Sequence, residues 1–78
     1  MDTKAKVKEV LSSLLKVRVE EIKDGLSMQD SIGVDSTEMV ESVIALEKSF
    51  GVKLNVKEIT KNSTIEEIAN NIQSKLVK

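Results

Sequence analysis

This chain has no cysteine, histidine, proline, tryptophan or tyrosine, and a single phenylalanine, Phe50. Without cysteine there is no disulfide staple and no thiolate nucleophile. Without histidine it lacks the usual general base near neutral pH and the commonest metal ligand, so no metal site is expected. Without tyrosine or tryptophan there are no stacking platforms for single-stranded nucleic acid. A net charge of −1 leaves no basic surface to track a phosphate backbone. No segment approaches the roughly 20 apolar residues that span a bilayer. The first twenty residues carry Lys4, Lys6, Lys8, Glu9, Lys16 and Arg18 and no apolar run of signal-peptide length. The expectation is a cytoplasmic monomer that is not an enzyme, binds no nucleic acid and does not insert into a membrane.

What is present fits one small domain spanning residues 1–78. A core of this size supports roughly 4–12 kcal/mol of stability, nearer the low end. The charge is unevenly spread. Residues 30–50 hold five acidic side chains (Asp30, Asp35, Glu38, Glu41, Glu47) and one basic, Lys48, a local charge of −4. The flanking segments are +1 and +2. Such a field steers basic partners to one region of a nearly neutral protein.

Hydrophobic spacing predicts helices. Val7, Val10, Leu11, Leu14 and Leu15 form one stripe in residues 3–16, with Asp2 or Thr3 as cap. Residues 17–34 show no sustained period. Their scattered apolar residues (Val19, Ile22, Leu26, Met28, Ile32, Val34) predict a long loop pinned across the helix ends, with one helical turn at Val19–Ile22. Residues 36–50 form the next helix. Asp35 and Glu38 have capping-box spacing, Gly51 suits a left-handed terminus, and Met39, Val40, Val43, Ile44, Leu46 and Phe50 give a wide apolar face. Asn55 caps a short element over 56–60 with Ile59 pointing inward. A second capping box, placed at Ser63–Glu66, opens a helix over 64–76. The fold class is all-α: a four-helix bundle with three main amphipathic helices, a short third helix and a long loop between the first two.

The stretch Asp30-Ser31-Ile32-Gly33-Val34-Asp35-Ser36-Thr37-Glu38-Met39 is the most informative. By itself Asp35-x-x-Glu38 is a helix cap, and the acids after it are a solvated face. The same arrangement puts a serine hydroxyl on the first turn of a helix. There it can bear a phosphoryl-linked group while the helix stays intact, and the helix N-terminus favours that phosphate. With no group to activate the serine for catalysis, the chain reads as one that carries something.

This motif, together with Glu41 and with Ala45-Leu46-Glu47-x-x-Phe50-Gly51-Val52, resembles the acyl carrier protein family along the whole chain. The resemblance implies that Ser36 bears 4′-phosphopantetheine, donated by coenzyme A through a phosphopantetheinyl transferase. It implies acyl chains held as thioesters for fatty acid or related acyl-chain biosynthesis. The partners it implies are that transferase and enzymes that load, elongate or transfer acyl groups. In this context Asp35, Glu38, Glu41 and, more weakly, Glu47 become partner-recognition residues that meet a basic rim. Apolar stripes of this kind form a core first. An acyl chain entering between the helices would bury about seven methylenes, roughly 5–6 kcal/mol gross.

Two features depart from the family pattern. Thr37 stands where a leucine usually follows the modified serine, at a position near the pocket mouth in the family. Lys48, Lys53, Lys57 and Lys61 confine the acidic face to residues 35–47. Both suggest a specialised carrier. An aminoacyl or polyketide carrier domain shares the same chemistry, and an unmodified helical adaptor would use the same acids without an adduct. The short chain without linker tails favours a free-standing carrier.

Overall fold

A computed structural model describes residues 3–76. Its α-helices are α1 (Thr3–Leu15), α2 (Met28–Ile32), α3 (Ser36–Phe50) and α4 (Ile65–Leu76), with a 3₁₀ turn at Val19–Glu21. Among the described residues there is no strand, only an isolated bridge between Ser27 and Thr64. The all-α class and the three long helices are as expected.

The long helices begin and end where local chemistry places them. The Asp35 side chain accepts from Glu38 N–H at 2.8 Å, and the Glu38 carboxylate accepts from Asp35 N–H at 3.1 Å. Two otherwise orphaned donors are thereby satisfied at the start of α3. At its end Gly51 adopts φ 68°, and the N–H groups of Gly51 and Val52 both donate to Glu47 C=O. That left-handed residue is inexpensive only for glycine. The same motif ends α1 on Lys16 at φ 57°, with Val17 N–H donating to Ser12 C=O. The box that opens α4 lies one residue later than the sequence reading placed it. Thr64 and Glu67 are the reciprocal pair, at 3.2 and 2.9 Å, while Ser63 Oγ accepts from Thr60 N–H instead. Asp2, one of the two expected caps of α1, lies outside the described residues. Thr3, the other, is already helical and donates its hydroxyl to Gln73 Oε1 on α4.

The short elements differ more. Residues 55–59 make one hydrogen-bonded turn, closed by Ile59 N–H to Asn55 C=O at 3.1 Å, and do not propagate into a helix. The short helix is α2, inside the expected long loop. Ser27 Oγ caps it by accepting from Asp30 N–H at 3.1 Å, and Gly33 ends it at φ 70°. Five residues do not hold a helix by propensity. This one is held by tertiary bonds: Met28 N–H donates to Ser63 C=O and Gln29 N–H to Lys61 C=O, both at 2.9 Å. The 3₁₀ turn occupies the segment where one helical turn was expected.

The core is one cluster. Val7 and Leu11 of α1, Met28 of α2, Met39, Val43 and Leu46 of α3, and Ile65, Ile68 and Ile72 of α4 meet with Ile22, Val34, Leu54 and Ile59 from the connections. The connections are therefore pinned by buried side chains, as expected, although Val19 and Leu26 point outward. Ion pairs add a second fastening, with Lys4 and Lys8 of α1 both reaching Asp24 in the first connection. Leu14, expected in the stripe of α1, is exposed.

Candidate functional site

Ser36 is the first residue of α3 and is exposed. Its hydroxyl has no hydrogen-bond partner among the described residues. Asp35 precedes it as the helix cap. The N–H groups of Ser36 and Thr37 lie in the first turn, where no intrahelical acceptor exists. The two carboxylates of the capping box are spent on the donors of Asp35 and Glu38 and engage neither of these two N–H groups.

Ser36 borders a cavity of about 290 Å³ between α3 and the 56–62 segment. Met39, Val40, Val56 and Ile59 supply its apolar wall, and Thr60, Lys61 and Asn62 complete it with polar groups. Thr37 is exposed and does not line it. The departure at this position therefore bears on the outer surface of α3 and not on the cavity.

The other sequence-nominated acids occupy different situations. Glu41 is exposed, one turn beyond Thr37. Asp35 is exposed, whereas Glu38 is half-buried and folded back on the helix start. Glu47 is also half-buried, and its Oε2 accepts from Leu54 N–H at 2.7 Å. It fastens the connection after α3. Asp35, Glu38 and Glu41 thus gather within two turns of Ser36, and Glu47 stands apart.

Two apolar residues belong with this surface although periodicity assigned them to the core. Val40 and Ile44 are each 45% exposed, and Val56 across the cavity is 49% exposed. A signal was present in the sequence. Met39, Val43, Leu46 and Phe50 already complete an inward stripe, so Val40 and Ile44, spaced i and i+4, form a second line beside it. Exposed apolar side chains flanked by acids suit an interaction surface.

The arrangement has what covalent attachment of a phosphodiester arm requires. The hydroxyl is reachable and unbonded, the flanking donors can meet phosphate oxygens, and an apolar cavity lies alongside. Comparison with known proteins agrees. Residues 5–72 match the family described as phosphopantetheine attachment site. The acyl carrier protein of Thermotoga maritima is 33% identical over 72 residues, covering 92% of this chain and 89% of that protein. That of Petrotoga mobilis is 35% identical over 71 residues, covering 91% and 84%. That of Buchnera aphidicola is 29% identical over 70 residues, covering 90% and 89%. The chain belongs to the acyl carrier protein family. Its cofactor is covalently attached 4′-phosphopantetheine. The relatives are carriers by name.

Proposed function

We propose that Ser36 is the attachment residue and that residues 1–78 form one carrier domain, a cytoplasmic monomer. In the transfer, Ser36 Oγ attacks the β-phosphorus of coenzyme A. The new O–P bond replaces the bond to the leaving phosphate, and adenosine 3′,5′-bisphosphate departs while the hydroxyl proton passes to the transferase. Once attached, the arm supplies a thiol on which acyl groups travel as thioesters. The free, exposed Ser36 hydroxyl at the α3 terminus, inside the matched span, carries this reading. The chain's own part is to present that hydroxyl on a capped, rigid helix and to offer partners the surface behind it. Among the described residues no helix is long and apolar enough to cross a membrane.

The surface reading names Glu41, Asp35 and Glu38 as the charged contacts and Val40 and Ile44 as the apolar ones. A phosphopantetheinyl transferase and enzymes that load, elongate or transfer acyl groups are the partners, in fatty acid or related acyl-chain biosynthesis. Thr37 beside Glu41, and lysines at positions 48, 53, 57 and 61, support a specialised carrier.

Intact mass after incubation with coenzyme A and a broad-specificity transferase tests the attachment. Wild type gains one phosphopantetheine and Ser36→Ala gains none. Modification of Ser36→Ala, or none of folded wild type with several transferases, overturns the assignment.

A further inference from the structure

Lys61 and Ser36 border the same cavity. We propose that the Lys61 ammonium is the counter-charge for the phosphodiester at Ser36, which makes Lys61 a positioning residue for the arm. The proposal rests on the reading of Ser36 above.

Charge near Ser36 creates the need. Asp35 and Glu38 already place two carboxylates at the start of α3, and the phosphodiester adds a third negative group. The N–H groups of Ser36 and Thr37 and the helix dipole meet part of that charge. They are partial charges, whereas neighbouring full charges of like sign repel appreciably at a protein surface.

Lys61 is placed to answer it. The other polar residues of the cavity wall, Thr60 and Asn62, are uncharged, so Lys61 is its cation. Lys61 is half-buried, which limits the freedom of its stem. The ion pairs among the described residues join Lys4 and Lys8 to Asp24 and Glu66, and none engages Lys61. Its backbone is fixed from the other side, because Lys61 C=O accepts from Gln29 N–H of α2 at 2.9 Å. The adjoining Thr60–Ser63 turn is closed by two further bonds, at 2.9 and 3.1 Å. The first two N–H groups of α2 thus hold the 61–63 segment against the cavity. Lys53 and Lys57 are exposed and do not line the cavity, so they are not substitutes.

The test compares unmodified and phosphopantetheinylated forms of wild type, Lys61→Arg, Lys61→Gln and Lys61→Glu, with attachment verified by intact mass. Melting temperatures are compared within each protein, so any effect of a substitution on the unmodified fold cancels. At low salt, attachment raises the melting temperature of wild type and Lys61→Arg by about 2–5 °C. It leaves Lys61→Gln nearly unchanged and lowers Lys61→Glu. The wild-type increment disappears at about 1 M salt, where charges are screened beyond roughly 3 Å. An equal increment in all four proteins, with attachment confirmed by mass, overturns the role of Lys61 and leaves the Ser36 reading standing. Failure of folded wild type to gain the arm overturns both.

Discussion

The carboxylate of Glu47 accepts the backbone N–H of Leu54 at 2.7 Å. Leu54 is buried, so this donor has little access to water once its partner is removed. Leaving it unpaired costs about 1–2 kcal/mol. Glu47→Ala should therefore lower the melting temperature by about 5–10 °C, and Glu47→Gln, which keeps an acceptor oxygen, by less. Thermal melts of the three proteins check this. An unaltered melt for Glu47→Ala would show that the carboxylate is free for other work.

Glu41 makes the opposite prediction. It is exposed, and its side chain has no hydrogen-bond or ion-pair partner among the described residues. Glu41→Lys should leave stability within about 0.5 kcal/mol of wild type. It should slow association with carrier-dependent enzymes and flatten the salt dependence of that rate. Transfer kinetics at several salt concentrations measure both effects. Unchanged rates across several partners at low salt would reduce the acidic face to a solvated surface.

Ile44 separates docking from core packing. Ile44→Thr keeps the β-branch but replaces apolar surface with a hydroxyl on a half-exposed position. The melting temperature should change by only a few degrees, while KM for partner enzymes rises several-fold. A large loss of stability with unchanged kinetics would return Ile44 to the core.

A medium-length saturated acyl group on the arm should raise the melting temperature by entering the cavity beside Ser36. The gain must fall well below the roughly 5–6 kcal/mol of gross methylene burial, because the helices give up packing contacts. Thr37 was expected at the pocket mouth, where leucine would increase the gain. It lies outside the cavity, so Thr37→Leu should not change the acylation increment. Ile59→Val, which enlarges the cavity wall at a cost of about 0.5–1.5 kcal/mol to the unacylated fold, should increase it. Melting curves of acylated and unacylated forms decide; no shift on acylation means the chain stays in solvent.

Asp24 links the first connection to acid stability. A hydrogen bond from Lys8 is the largest cause holding its carboxyl below the ordinary value of 3.8, and Lys4 adds to it. A depressed folded value stabilises the protein above the unfolded value, and that contribution is lost as pH falls through the folded one. The loss therefore begins near pH 4 and continues downward. Lys4 is raised above 10.5, chiefly by its hydrogen bond to Asp24, so its share is lost only as pH climbs past that value. Asp24→Asn should flatten the acid limb of stability below about pH 4 while leaving the shape between pH 6 and 8 unchanged. Denaturant melts across pH measure this. Parallel acid limbs in both proteins would exclude Asp24 as the source.

Residues that act on their own neighbours were legible in the sequence. Asp35, Glu38 and Gly51 set both ends of α3 through bonds spanning three to five residues, whereas Ser36, which they frame, was singled out by the resemblance of the surrounding motif to the acyl carrier protein family. The all-α class followed from stripes such as Ile65, Ile68 and Ile72. What the sequence left open was decided across the fold. Periodicity counts apolar positions on a helix but not the neighbours available to cover them, so Leu14, Val40 and Ile44 were assigned inward and are exposed. Glu47 was read as a docking residue, and the bond it accepts from Leu54 N–H in the next connection has no local signature in the sequence. The five residues of α2 have no helical future alone; the carbonyls of Lys61 and Ser63 give them one. The placing of Lys61 and Ser36 on the wall of one cavity is likewise absent from any local pattern. It exists because α2 and the turn at residues 60–63 hold each other in place beside the start of α3.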